Sequence, residues 1–233
     1  MGFDREMKRA VCLLSGGLDS AVAAAIARSQ GYDIFCLSLS YKQRHIKELL
    51  FAKKLVRFLK ANEHRILEID LQRIGGSSLT NNIAVPTGKT ITQIKKSKKI
   101  PATYVPGRNT IFLSLALAYA EVIGADAIFL GVNAIDYSHY PDCRPEFIKK
   151  FQELANIATK KGVEGKRIKI VAPLLKMSKA EIIKNGHALG VPFELTWSCY
   201  QGKEKACGKC ESCVLRLNGF KEAGLKDPIK YEK

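Results

Sequence analysis

Arg9-Ala10-Val11-Cys12-Leu13-Leu14 runs into Ser15-Gly16-Gly17-Leu18-Asp19-Ser20, and an alanine-rich stretch from about Asp19 to Gln30 follows. The apolar run is too short for a helix and reads as a buried strand, while alanine has the highest helix propensity of any residue. Strand, glycine turn and helix together open a parallel α/β unit. In an open parallel sheet the ligand crevice lies at the carboxyl ends of the strands, which is where this turn falls. Paired glycines let consecutive N–H groups curl around an anion without Cβ clashes, and the helix beginning near Asp19 adds its positive end. Ser15 and Ser20 bring hydroxyl donors, so the expected anion-binding stretch spans Leu14, Ser15, Gly16, Gly17, Leu18, Asp19, Ser20, Ala21 and Val22.

Working outward, Asp33–Ser40 and His64–Ile69 read as further strands, with an amphipathic helix from Arg44 to Lys60 between them. Beyond residue 103 come a helix from Arg108 to about Ile123, a strand from Ala127 to Val132 and a helix from Pro145 to about Lys160. A fifth strand, Arg167–Ala172, precedes a helix that Ser178 caps, with Glu181 completing a capping box. The pattern predicts an open parallel five-stranded sheet with helices on both faces, and with SGGLDS after its first strand it resembles Rossmann-like folds of the adenine nucleotide alpha hydrolase kind. Residues 1–190 form its nucleotide-binding domain, residues 71–103 an insertion over the active edge, and residues 191–233 a small C-terminal metal-binding segment.

The chain has 233 residues, 46% of them hydrophobic, enough for one sizeable core, which excludes a disordered tail. No run of eighteen apolar residues occurs and no signal-peptide pattern precedes Ser15, so a cytoplasmic protein is expected. A formal charge of +16 draws polyanions, whether nucleotides, acidic metabolites or nucleic acid, and does not choose among them. Lys95, Lys96, Lys98 and Lys99 are the densest basic run.

A Walker loop needs GxxxxGK followed by Ser or Thr, and a dinucleotide fold needs GxGxxG; neither occurs at the turn. SGGLDS resembles instead the PP-loop of ATP pyrophosphatases, which hold the β and γ phosphates as departing pyrophosphate and transfer AMP to a substrate oxygen. That resemblance implies that Asp19 orients Mg²⁺ or the phosphates, a role for a hard carboxylate oxygen. Lys179, at a second helix start, is similar to a phosphate-binding lysine of the superfamily. Ser15, Asp19, Ser20, Arg108 and Lys179 are accordingly the candidate catalytic residues.

Four of the seven cysteines, Cys199, Cys207, Cys210 and Cys213, crowd into fifteen residues, a spacing that favours a closed tetrahedral Zn²⁺ site over disulfides. Thiolates at two-residue gaps also bind iron–sulfur clusters, the rival reading. Cys12 and Cys36, in apolar strands, read as packing groups, and Cys143 lies in a polar loop. His45, His64, His139 and His187 are dispersed without metal spacing.

LLSGGLDSA, TYVPGRNTIFLSLALAYAE, GVNAIDYSHYPDCRPEF, APLLKMSKAEII, and TWSCY followed by CGKCESC give the chain a resemblance to the QueC family over nearly its whole length. The resemblance implies conversion of 7-carboxy-7-deazaguanine and ammonia to a nitrile with ATP and Mg²⁺, one structural Zn²⁺ per chain, and a homodimer. It further implies that adenylation of the carboxylate precedes amidation and that a second adenylation removes the amide oxygen. Expected substrate contacts are Tyr104, Arg108, Asn109, Asp136, Tyr140, Asp142 and Arg144, because TYVPGRN and the loop after the fourth strand fall at the carboxyl edge of the sheet. Arg108 suits bidentate pairing with a carboxylate or phosphate. Lys42 and His139 depart from the family pattern, where glycine is common. Trp197 is expected to anchor the metal segment or to stack on a ring.

Two other classes share these features. A PP-loop enzyme that thiolates a tRNA base would bind RNA through the basic surface with steep salt dependence. A zinc-stabilised nucleic-acid binding module without catalysis would leave the complete SGGLDS unused.

Overall fold

The apolar runs become five parallel strands in a computed structural model that describes residues 7–41, 47–81, 83–97, 99–133, 140–201 and 204–232. They are β1 (Arg9–Leu13), β2 (Asp33–Ser40), β3 (Glu63–Glu68), β4 (Ala127–Phe129) and β5 (Lys169–Val171), in the order β3-β2-β1-β4-β5. Helices α1 (Leu18–Ser29), α2 (Lys47–Leu59), α3 (Ile91–Lys96), α4 (Arg108–Val122), α5 (Pro145–Ala158), α6 (Lys160–Val163), α7 (Lys179–Ala188) and α8 (Glu211–Ala223) accompany them. The expected open parallel sheet with helices on both faces is present.

Alternation along β1 shows why its sequence is unbroken in hydrophobicity. Ala10 and Cys12 face a core shared with α1, α2 and α7, whereas Val11 faces a second core built with α4 and α5. A strand covered on both faces has no polar side to display. Leu14, Ile34, Leu55 and Phe129 are essentially fully buried, each contributing about 1.5–3 kcal/mol through removal from water. Burial pushes the Cys12 thiol well up and Cys36 to about 12, as befits packing groups.

One expected helix ends early and one helix is unexpected. The helix from Pro145 stops at Ala158 because Thr159 leaves helical geometry (φ −120°, ψ 149°); its hydroxyl donates to Ala155 O and accepts from Gly162 N, starting α6 as a new turn. A β-branched N-cap residue favours that break. Helix α8 has no counterpart in the sequence reading, because its buried face combines Cys213, Leu215, Arg216, Gly219 and Phe220 rather than a plain apolar stripe. Gly219 is required where α8 crosses α7: a Cβ there would lie 2.3 Å from the Lys179 side chain. Phe193 and Phe220 belong to the same core as α1, so the segment after residue 190 shares the sheet's packing.

The stretch of residues 71–103 reaches further than the sheet edge. A Thr90 capping box starts α3, Thr87 bridges to Cys210, Gly88 N donates to Lys209 O, and Lys89 pairs with Glu211 at 2.6 Å. Its buried run Ser77–Thr80 brings Leu79 to the cleft described next. The 71–103 segment therefore joins the cysteine cluster to the open end of the sheet.

Candidate active site and metal centre

At the switch point the chain leaves β1 toward one side of the sheet and β4 toward the other, so the exits of these neighbouring strands diverge and leave a crevice. A cleft of about 250 Å³ occupies it. Its walls come from the loop after β1, the residues after β4, the first turns of α2 and α4, the Trp197–Tyr200 strap and the start of α7.

The loop is curled by its own hydrogen bonds. Ser15 N donates to Ser20 Oγ at 3.2 Å, Gly17 N donates to Ser15 Oγ at 3.2 Å, and Ser20 Oγ donates to Gly17 O at 2.9 Å. The Ser20 proton being engaged there, Ser15 Oγ donates across the remaining 3.1 Å to Ser20 Oγ. Gly16 adopts φ +88°, and a Cβ on it would sit 2.0 Å from the Glu48 carbonyl, so only glycine lets the loop rest on the first turn of α2. Trp197 N donates to Gly16 O at 2.9 Å, tying the strap to the loop. Leu14, Ser15, Gly17, Leu18, Asp19 and Ser20 line the cleft, while Gly16, Ala21 and Val22 seat the loop from behind.

Lys179 is buried, and its ammonium holds both Asp19 carboxylate oxygens at 2.7 Å, joining the start of α7 to the start of α1. Capping-box bonds from Ser178 and Glu181 fix that helix start. Opposite them, Arg108 begins α4 after Gly107. Burial works against its charge, yet the facing Tyr41, Tyr140, Cys143 and Asp142 hold its guanidinium protonated more firmly than usual. Asn109 N donates to Asp142 Oδ2 at 2.8 Å, and its side-chain amide donates to Asp142 O and to Cys143 Sγ, each at 3.1 Å. These bonds pin the Pro141–Cys143 turn onto the first turn of α4.

Expected substrate contacts thus separate into groups. Arg108, Asn109 and Tyr140 line the cleft, and the Tyr140 hydroxyl pairs with Thr103 at 2.8 Å. Asp142 lies behind Asn109, and Tyr104 packs on Tyr140 with ring centres 5.6 Å apart, its hydroxyl accepting from Gly107 N. Arg144 is exposed at the start of α5, away from the cleft lining, because its backbone serves as the helix N-cap. Asp136, Lys42 and His139 lie outside the described residues.

Sequence reasoning did not single out Tyr41, Glu48, Phe112, Asn133, Ser198, Tyr200 or Arg216, all of which line the cleft. Asn133 was reachable, four residues past the end of β4. Glu48 and Arg216 sit on helices whose patterns announce only a buried face. Burial is the chief influence on Glu48, raising its carboxyl to about 7 against the opposing pull of Arg108. The Cys143 thiol is pushed up to about 12, chiefly by burial.

Behind the strap, Cys199, Cys207, Cys210 and Cys213 are buried with all four sulfurs within 4.8 Å of one another. A tetrahedral ion with metal–sulfur bonds of about 2.3 Å needs sulfurs about 3.8 Å apart, and Cys207 and Cys213 stand 3.9 Å apart. Cys210 and Cys213 donate to the Cys199 sulfur, which also accepts from Cys207 N and Gln201 N, favouring its thiolate. Cys207 Sγ accepts from Lys209 N and Cys210 N. The cluster therefore fits a metal ion. Trp197 is tied to the cysteine segment, its indole N–H donating to Cys199 O at 3.1 Å, and its ring stacks on Phe51 while lining the cleft. Arg216, fully buried on α8, pairs with Asp227 at 2.8 and 3.0 Å and donates to Thr196 Oγ1, locking the strap to the chain's last residues.

A glycine loop between strand and helix, opening into a cleft at the switch point of a parallel sheet, defines a nucleotide-binding α/β protein of the PP-loop class. The model of the family described as "Queuosine biosynthesis protein QueC" matches residues 9–224, and the chain belongs to that family. A "7-cyano-7-deazaguanine synthase" from Dechloromonas aromatica (strain RCB) is 59% identical over 228 residues, 97% of this chain and 99% of the relative. Proteins of the same name from Anaeromyxobacter dehalogenans (strain 2CP-C) and Acetivibrio thermocellus are 54% and 55% identical, the former over 98% of this chain and 97% of its own length, the latter over 97% and 98%.

Proposed function

We propose that this chain is a 7-cyano-7-deazaguanine synthase, an ATP-dependent ligase that takes 7-carboxy-7-deazaguanine and ammonia to the nitrile. The observation that carries the reading is a curled SGGLDS loop facing, across one cleft, an arginine kept charged by its surroundings. A carboxylate is a poor electrophile because it would have to expel oxide. Transfer of AMP to one of its oxygens gives an acyl-adenylate that expels AMP when ammonia attacks. The amide oxygen then takes a second AMP and leaves with it, so the same loop serves twice.

In this reading the N–H groups from Ser15 to Ser20 cradle the departing pyrophosphate, with the α1 start contributing its positive end. Asp19 and triphosphate oxygens are hard donors suited to Mg²⁺, and Lys179, already on Asp19, balances the phosphate charge. Arg108 orients the carboxylate, with Asn109 and Tyr140 on the base. Zn²⁺ is the ion best suited to four thiolates; having no open position, it closes the fold of residues 191–233 around the nucleotide domain, 1–190. A homodimer working in the cytoplasm completes the proposal, consistent with the absence, among the described residues, of any helix long and apolar enough to cross a membrane.

Mass spectrometry of one incubation with ATP, ammonia and the acid tests the reading. Nitrile, AMP and pyrophosphate are expected, with carboxamide appearing when ATP is limiting. ADP, or a thiolated tRNA formed in place of nitrile, would refute it.

A further inference from the structure

Ammonium carries four hydrogens on nitrogen, the amide two and the nitrile none. Each round of the proposed reaction must therefore remove two protons from the same nitrogen, and ammonium, like a lysine amine, keeps its extra proton at neutral pH. The cleft needs a group that accepts protons there.

Few candidates exist. Among the described residues lining the cleft there is no histidine, and Asp19 and Glu48 are the carboxylates. Asp19 is occupied, both its oxygens lying 2.7 Å from Lys179 Nζ. Cys143, Tyr41 and Tyr140 are each driven by burial to hold their protons more tightly, so they are already protonated at neutral pH. Lys179, Arg108 and Arg216 are cations. Glu48 remains, on the first turn of α2, in a wall shared with Tyr41, Phe112 and Trp197.

We propose that Glu48 is the proton acceptor for the attacking nitrogen, a catalytic residue of the amidation and dehydration steps rather than of adenylation. This rests on the synthase reading above. In the first round an N–H bond of ammonium breaks and its proton passes to the Glu48 carboxylate. The freed lone pair forms the C–N bond, the C–O bond to AMP breaks with its electron pair leaving on AMP, and the second proton departs from nitrogen as the amide forms. In the second round the adenylated amide gives up its remaining two protons while the C–O bond to AMP breaks and C≡N forms. Between transfers Glu48 returns each proton to water through the open side of the cleft.

Position supports this assignment. Gly16 rests on the Glu48 carbonyl, so the carboxylate is carried by the residue against which the phosphate loop is registered. In a cleft otherwise dominated by cationic side chains, an ionised Glu48 is a negative point that attracts ammonium, and the paired rings of Tyr41 and Phe112, 5.6 Å apart, line the same cleft. A carboxyl raised to about 7 takes a proton and releases it again near neutral pH. The groups that face Glu48 are Arg108 of α4, which opposes that rise, and Tyr41 beyond β2. Its neighbour Lys47 is directed over Trp197, 4.8 Å from the ring centre.

Glu48→Gln and Glu48→Asp test the proposal on the whole enzyme. Carboxylate-dependent exchange of labelled pyrophosphate into ATP reads adenylation alone; quenched-flow mass spectrometry reads amide and nitrile. For E48Q, amide and nitrile formation is expected to fall about 10²-fold or more, with exchange and melting temperature retained. The fall should shrink as rising pH supplies free ammonia, the wild-type bend in rate near pH 7 should vanish, and E48D should recover part of the rate. Unchanged nitrile formation in E48Q would overturn the proposal. So would loss of exchange with a raised KM for the acid, which would make Glu48 a binding group for the base. Wild-type enzyme without exchange would overturn the synthase reading and this inference with it.

Discussion

The phosphate loop and the cysteine cluster sit on opposite sides of one strap, and they are held in opposite ways. The loop is curled chiefly by its neighbours in sequence: Ser15, Gly17 and Ser20 bond one another, and from outside Trp197 N reaches Gly16 O and Lys179 holds Asp19. The cluster's four sulfurs also come from one short stretch, but distant parts brace it, Thr87 bridging to Cys210 and the tail joining through the Ala206–Tyr231 bridge, and the four could hold a metal ion. One site is shaped mainly from within, and the other is braced from across the chain.

That contrast yields graded expectations. Cys210→Ser removes a ligand, and since structural zinc contributes roughly 10–16 kcal/mol in isolated fingers, the 191–233 segment should lose its structure, seen as protease sensitivity and a collapsed melting transition. Arg216→Leu strands Asp227 as a buried carboxylate without its ion-pair partner, and about 3–5 kcal/mol should be lost in urea titrations with metal still bound. Gly16→Ala forces a left-handed residue and a clash with α2; about 2 kcal/mol or more of strain should appear mainly as weaker ATP binding by calorimetry, with the metal retained. Ser178→Ala removes the cap that starts the Lys179 helix and should cost about 1 kcal/mol, read as a small shift in melting temperature. Were Gly16→Ala to release the metal, or Cys210→Ser to leave the fold intact, the division between the two sites would fail.

Legibility in the sequence followed how local each feature is. Features written in consecutive residues were readable: the strand-turn-helix at Ser15, the Ser178 capping box and the cysteine spacing each depend on local geometry. Asp19 and Lys179 were each visible as helix starts, but their ion pair spans 160 positions and no local pattern encodes it. Helix α8 escaped notice because its buried side carries Arg216 and Gly219, whose reasons lie in Asp227 and α7. Asp142 reads as a substrate contact in its polar loop, yet the structure uses it to receive the Asn109 N–H. The cleft wall is the extreme case, since Glu48, Arg108, Tyr140 and Trp197 come from distant segments and meet only through the sheet.

The route of oxygen decides the account. With both carboxylate oxygens of the acid labelled as ¹⁸O, adenylation at this loop sends one label into AMP when ammonia displaces the acyl-adenylate and the other when the amide is dehydrated. Two singly labelled AMP molecules per nitrile are therefore predicted. Unlabelled AMP, or label recovered in water or in ADP phosphate, would contradict transfer of AMP to the carboxylate.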